Sequence, residues 1–223
     1  MNLLLDWCSH EAAKYAVTHW HYSETLPASK RAYIGVWEDE KYIGAVIFAL
    51  GGTPALVKPY GLDQFQGCEL VRVALNKHKA TVTQILKICI SMIKKQSPGL
   101  RLIVSFADTL QGHNGSIYQA GNWVYTGMTS PVKTWKHNGK VLHRRAYTGV
   151  NYGGPRMTVP QGAEVIELPG KHRYLYPLDR AMRRQIVPLA QPYPKKEIVR
   201  PIDGNNSGDQ PEHGGSTPTR TLY

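Results

Sequence analysis

The feature that most constrains the fold is an amphipathic run with a strand pattern on either side. Between about Ala80 and Gln96, Val82, Ile85, Leu86, Cys89, Met92 and Ile93 recur at three- and four-residue steps, with Lys87, Lys94 and Lys95 off that stripe. Ser97-Pro98-Gly99 stops the helix, and Leu100 to Phe106 follows as an almost unbroken apolar run, the pattern of a buried central strand. Before it, Glu69 to Leu75 alternates, with Leu70, Arg72 and Ala74 expected on one face and Glu69, Val71, Val73 and Leu75 on the other. A helix crossing between two parallel strands requires an α/β fold.

The remaining segments add to this unit. Ser9 is an N-cap for a helix to about Trp20. Tyr33–Trp37 and Tyr42–Leu50 flank a charged turn as a hairpin, and the stretch 55–67 is irregular. A short helix at Ser116–Ala120, a strand at Trp123–Met128 and an Asn138-Gly139 hairpin between Thr134–Lys136 and Val141–His143 complete the order. The expectation is a mixed central sheet flanked by helices over residues 1–148. A basic, irregular C-terminal extension over 149–200 packs on that domain, with one possible strand at Glu164–Leu168. A disordered tail follows over 201–223.

Composition then narrows the partners. Among 223 residues, 27 Lys and Arg against 16 Asp and Glu give a formal charge of +11, which favours polyphosphates. Cys8, Cys68 and Cys89 form no CxxC pair, which points to a reducing cytoplasm and away from a disulfide scaffold. No apolar run approaches the ~20 residues of a membrane span, so no membrane partner is expected. Phosphate-binding P-loop, Rossmann, G-x-S-x-G and H-E-x-x-H motifs are all missing.

Three places can carry chemistry. His19-Trp20-His21-Tyr22 is either a helix end with Trp20 in the core, or a proton-shuttling site beside a loop. In an extended chain, His19 and His21 could share a metal with Glu24. Asp108 ends the central strand, where ligands of open α/β sheets gather, and His113 and Tyr118 follow in the same connection; the plainer reading of Asp108 is a turn former. Arg72 interrupts an apolar strand, either facing the site or lying in water. Lys171-His172-Arg173-Tyr174, with Arg180, Arg183 and Arg184, interleaves basic and aromatic residues in the way that suits nucleic-acid contact, or forms an ordinary exposed helix.

These motifs occur together in a known order. His21-Tyr22-Ser23, Glu69 to Ala74, Val104-Ser105-Phe106-Ala107-Asp108, Gly112-His113-Asn114-Gly115 with Ser116 to Ala120, and Lys171 to Tyr174 closely resemble the Mom family of phage DNA-modification proteins, over roughly residues 12–184. The resemblance implies an acetyltransferase-like (GNAT) fold in the host cytoplasm. It also implies conversion of adenine in double-stranded DNA to N6-carbamoylmethyladenine, which protects phage DNA from restriction. It carries roles onto His21, Tyr22, Arg72, Ser105, Asp108 and Tyr118.

Acyltransferases of this fold usually hold the CoA pyrophosphate on a glycine-bearing loop. Here Asn76-Lys77-His78-Lys79-Ala80-Thr81 has none, leaving Lys77, Lys79 and the helix start at Thr81 as phosphate contacts. The donor is therefore acetyl-CoA or a glycine or glycyl donor, with iron a candidate metal; the oligomeric state is open, a dimer included. Competing readings are an N-acetyltransferase acting on protein, tRNA or a small amine, and a non-catalytic DNA-binding protein.

Overall fold

The computed structural model describes residues 1–27, 29, 31–51, 54–142, 144, 147 and 157–195. His143, most of the Gly/Pro-rich stretch, Lys196, Arg200 and the 201–223 tail lie outside the described residues.

A seven-stranded sheet forms the body. Its strands are β1 (Leu3–Trp7), β2 (Arg31–Glu38), β3 (Lys41–Ala49), β4 (Gly67–Leu75), β5 (Leu102–Ala107), β6 (Val124–Met128) and β10 (His172–Pro177), in the order β1-β2-β3-β4-β5-β10-β6. Every pairing is antiparallel except β4 with β5, the pair joined by the crossover helix. The mixed α/β architecture is therefore the expected one. Helices α2 (Val82–Gln96) and α3 (Ser116–Ala120) cover one face, over Ile85, Leu86, Cys89, Ile103 and Trp123. On the other face lie α1 (His10–Trp20), packed by Ala13, Ala16 and Val17, and α4 (Arg180–Ile186), packed by Met182 and Ile186.

Two departures from the sequence expectation shape the molecule. The basic segment after Gly170 is not an extension: Tyr174 and Leu175 are fully buried, and β10 lies between β5 and β6. The expected division at residue 148 thus does not divide the sheet. The strand β1, which the sequence reading omits, lies at the sheet edge and pairs with β2. Its Leu4 and Trp7 stay exposed, so it lacks a clean alternation.

The strict alternation expected of β4 is also broken. Ile47 faces Arg72 while Phe48 faces Leu70, which leaves Val71 as the extra residue of a bulge. Leu70 packs with α2, whereas Val71 and Ala74 pack with α1. Arg72, opposite Ile47, therefore comes out on the α1 face rather than the face of Leu70. Past the bulge the strands fork: β4 pairs β5 from Gly67↔Leu102 only to Leu70↔Ser105. The opening between Arg72 on one arm and Asp108 on the other is the cleft.

A second sheet grows from the same end. Strands β7 (Val132–His137), β8 (Lys140–Leu142) and β9 (Glu164–Leu168) pair in the order β8-β7-β9. Asn138 and Gly139 both take positive φ (48° and 76°), as a type I′ turn requires.

Candidate active site

Each arm of the fork brings charge and hydroxyls to the cleft for a local reason. Asp108 caps a short 3-10 turn, its Oδ1 accepting from the Leu110 amide at 3.1 Å. The carboxylate is buried, and Oδ2 accepts from Lys171 Nζ at 2.5 Å. Lys171 was expected on a DNA-gripping surface; it pairs instead with the acid of the site. Its position is fixed by the β6–β10 ladder: its amide donates to Thr129 Oγ1 at 3.0 Å and its carbonyl accepts from the Thr129 amide at 2.9 Å.

The opposite wall comes from the end of α1. His21 accepts the α1 C-cap position, and Tyr22 follows with its ring stacked on His21, 4.4 Å between centroids. Tyr22 also meets the His113 ring edge-on at 5.5 Å. Burial, the Asp108 carboxylate and a hydrogen bond to it raise the Tyr22 phenol, with Arg72 opposing. The structure thus brings His21, Tyr22, Arg72, Asp108, His113 and Lys171 together around one cleft.

His21 differs from the expected neutral-pH proton relay. Burial first, then the Arg72 charge and His113, lower its pKa from 6.5 to about 4. Its Nδ1 accepts from the Ser23 amide at 3.1 Å, which leaves the ring proton on Nε2. At neutral pH, His21 is a neutral hydrogen-bond donor.

Ser105 and Tyr118 lie beneath the cleft. Ser105 Oγ is 2.8 Å from both the Leu70 carbonyl and the Tyr118 hydroxyl. A carbonyl only accepts, so Ser105 gives its proton to Leu70 and the Tyr118 hydroxyl donates to Ser105. Both residues are buried, and burial pushes the Tyr118 phenol up to about 12. They join β4, β5 and α3 where the strands part; Tyr118, onto which the resemblance carries a role, does not offer a free hydroxyl to the cleft. Arg72 is likewise a tie, its Nε donating to the Thr25 carbonyl at 3.2 Å and its Nη1 to the Val71 carbonyl at 2.7 Å. This holds the His21–Thr25 turn against the bulge.

Trp20 takes the core position that one of the two readings gave it, and two further expectations change. Trp20 packs with Tyr15 and Tyr42 beside the α1 core, which leaves half-exposed Tyr22 as the aromatic of the cleft. His19 is helical and its Nδ1 donates to the Tyr15 carbonyl at 2.8 Å. Because the chain is helical to Trp20, His19 and His21 do not share a direction with Glu24. Among the described residues no three His, Cys, Asp or Glu side chains gather as metal ligands, so no step is assigned to iron. The basic series also separates: Lys171 is at the Asp108 end of β10, whereas Arg180, Arg183 and Arg184 are exposed on α4, which starts past the other end. Arg173, on the α4 face, donates to Thr126 Oγ1 at 2.9 Å.

The donor-phosphate site expected at Lys77, Lys79 and Thr81 is filled by the chain itself. Glu38 reaches 41 residues along the sequence to accept from the Lys79 amide at 2.9 and 3.0 Å and from the Ala80 amide at 2.7 Å. Those amides hold its carboxyl below the ordinary range. Thr81 Oγ1 is occupied as the α2 N-cap, and Lys79 Nζ lies 3.7 Å from Asp39. A pyrophosphate at these amides would meet a carboxylate, so acetyl-CoA does not fit here. Glu38 itself gave no sequence signal, since it reads as part of a solvated hairpin turn.

Comparison with known proteins adds the family. The chain is 22% identical over 185 residues to "Methylcarbamoylase mom" of Escherichia phage Mu, an alignment spanning 78% of this chain and 76% of that protein. A spermidine/spermine N-acetyltransferase from Vibrio cholerae aligns over 82% of this chain and 96% of its own, at 9% identity and TM-score 0.46. An N-acetyltransferase from Staphylococcus aureus aligns over 80% of this chain and 100% of its own, at 12% identity and TM-score 0.46. Likenesses that distant transfer no property. The sequence model of the Mom protein family, by contrast, matches residues 2–195, which include both arms of the fork, the α1 turn and the Lys171 strand. The chain with this cleft belongs to the Mom protein family.

Proposed function

We propose that this protein is a transferase that modifies the N6 amine of adenine in double-stranded DNA, giving N6-carbamoylmethyladenine and so protecting phage DNA from restriction. Family membership and the phage Mu relative supply the class of reaction. The single observation that supports the site assignment is the convergence of Tyr22, His21 and Lys171 on Asp108 at the β4–β5 fork.

Adenine N6 is inside the stacked duplex, so the base must be extruded before it reacts. Tyr22, 48% exposed, offers a ring for the extruded purine to stack on. A carboxylate offers about four acceptor positions. Leu110 and Lys171 take two at Asp108, which leaves acceptor positions for an incoming N6–H. Lys171 keeps the charge of Asp108 compensated, and His21, neutral with its proton on Nε2, donates to an acceptor on the base or the donor. N6 then bonds to a carbon of the donor, the leaving group takes the electron pair of the bond that breaks, and the N6 proton passes to Asp108.

In the product N6 is bonded to CH2, whereas acetyl transfer would bond it to a carbonyl carbon. Glycyl transfer also bonds N6 to the carbonyl carbon, but that adduct is a constitutional isomer of the product. It reaches the product if the N6–C(=O) and CH2–NH2 bonds break while N6–CH2 and C(=O)–NH2 bonds form. A glycyl donor with this rearrangement is therefore the reading to test. The Glu38 contacts favour it over a donor anchored by CoA pyrophosphate, and they weigh equally against an ordinary N-acetyltransferase.

The experiment is to weigh nucleosides from deproteinised DNA of expressing cells. A deoxyadenosine heavier by C2H3NO is expected. Unmodified adenine together with acetylated protein would favour the N-acetyltransferase reading, and protection from restriction lost on deproteinising would favour simple occupancy.

A further inference from the structure

The inserted three-stranded sheet continues the β6–β10 ladder. Met128 pairs with His172, Thr129 exchanges bonds with Lys171, and three residues further on Val132 pairs with Leu168. The same two chain segments therefore run antiparallel from the central sheet into β7 and β9. His172 also faces Ala107, the residue before Asp108, and Thr109 Oγ1 bonds the Gly170 carbonyl at 2.9 Å. The insert is thus rooted beside the cleft, and at ~3.3 Å per residue the six residues of β7 carry its tip ~20 Å away.

The register fixes what one face of this wing presents. Trp135 is opposite Leu142 and Val165, Lys133 opposite Glu167, and His137 opposite Lys140, so all seven share a face. Val165 is 69% exposed, whereas Trp135 is half-buried under the Tyr147 ring, 6.0 Å between centroids, so the face is open at Val165 and its lysines and covered at Trp135. Lys133 and Lys140 are exposed beside Trp135, and Lys136 projects from the other face. Strands β7 and β8 and their turn contain no carboxylate; Glu164 and Glu167 lie on β9, at the opposite edge.

We infer that this wing, rather than α4, is the duplex-docking surface, with exposed Lys133 and Lys140 against the DNA. The inference rests on the reading that duplex DNA is the substrate, and the charge on β7 and β8 selects that occupant. Lysines on a ribbon track phosphates, and exposed Val165 lies on the same face. A duplex held there is presented to the Tyr22–Asp108 cleft, because wing and cleft share one end of the sheet. Helix α4 starts past the other end of β10 and packs back on the sheet over Leu102 and Leu175.

The test measures affinity of the full chain for an adenine-containing duplex by fluorescence anisotropy across a salt series, with nucleoside mass read in parallel. A Lys133→Gln, Lys140→Gln double variant should bind about tenfold more weakly, with a salt slope smaller by about 2. The single variant Lys140→Glu should weaken binding without the double change. A Lys87→Gln, Lys95→Gln control on the outer surface of α2 should bind as wild type, and all variants should keep the wild-type melting temperature. If wild type modifies adenine and the wing variants bind as tightly as wild type, or if loss appears only in an Arg180→Gln, Arg183→Gln, Arg184→Gln variant, the wing assignment is overturned while the enzymatic reading stands. If wild type neither binds duplex nor modifies adenine, both are overturned.

Discussion

A short residue motif carries little meaning until its neighbours are known. His21, Tyr22, Arg72 and Asp108 stand out in sequence because polar residues interrupt apolar patterns or end them. Their roles are set by contacts made by distant chain. His21 looks like a neutral-pH proton relay, yet burial and Arg72 keep it neutral down to a pKa of about 4. This has a consequence for stability. Unfolded chain takes up the His21 proton near pH 6.5 and folded chain only near 4, so the neutral ring's contribution is fully present above 6.5 and is lost as pH falls through that window. Chemical unfolding of wild type should therefore show stability falling between pH 6.5 and 4, and His21→Gln should flatten that part of the profile; an unchanged profile in the variant contradicts a neutral His21. Lys171 is the reverse case. Its basic, aromatic surroundings suggest a polymer-binding surface, and only the pairing of β10 with β5 puts its ammonium on Asp108.

Elements with local periodicity are legible, and those that depend on partners are not. The ends of α1 and α2 follow from Ser9 and Thr81 as N-caps, and α3 follows from the Gly115 turn. Gly115 takes φ 79°, and a Cβ there would lie 2.3 Å from the Tyr174 ring. By contrast, β10 carries basic and aromatic residues that resemble a surface segment, although Tyr174 and Leu175 are fully buried. The β4 bulge is equally silent, since one extra residue among Leu70, Val71 and Arg72 changes no composition while it reverses the face of Arg72. The loop before α2 is where the family expectation and the geometry part. With Glu38 on the Lys79 and Ala80 amides, CoA should not raise the melting temperature of wild type, and Glu38→Gln should lower it by several degrees through loss of charge-assisted bonds. A melting temperature that climbs with CoA concentration contradicts a filled site.

At the scale of the whole molecule, the positive charge is divided in a way that net charge does not reveal. The excess of +11 invites one DNA-binding surface along the C-terminal segment. The fold instead sends Lys171 into the cleft, starts α4 past the far end of β10, and sends the basic strands β7 and β8 outward beside Asp108. Cleft and wing share one end because β4 and β5 fork there and the β6–β10 ladder continues past it. The sequence pattern supplied the α/β class, the crossover and the candidate acid; long-range register decided which basic residues accompany that acid. The most direct test of this account compares nucleosides from the DNA of cells expressing wild type or Asp108→Asn, with duplex affinity of both purified proteins measured alongside. The account predicts carbamoylmethylated deoxyadenosine from wild type, a loss of about a hundredfold or more from Asp108→Asn, and matched affinities. Modified deoxyadenosine at wild-type levels in the variant would contradict it.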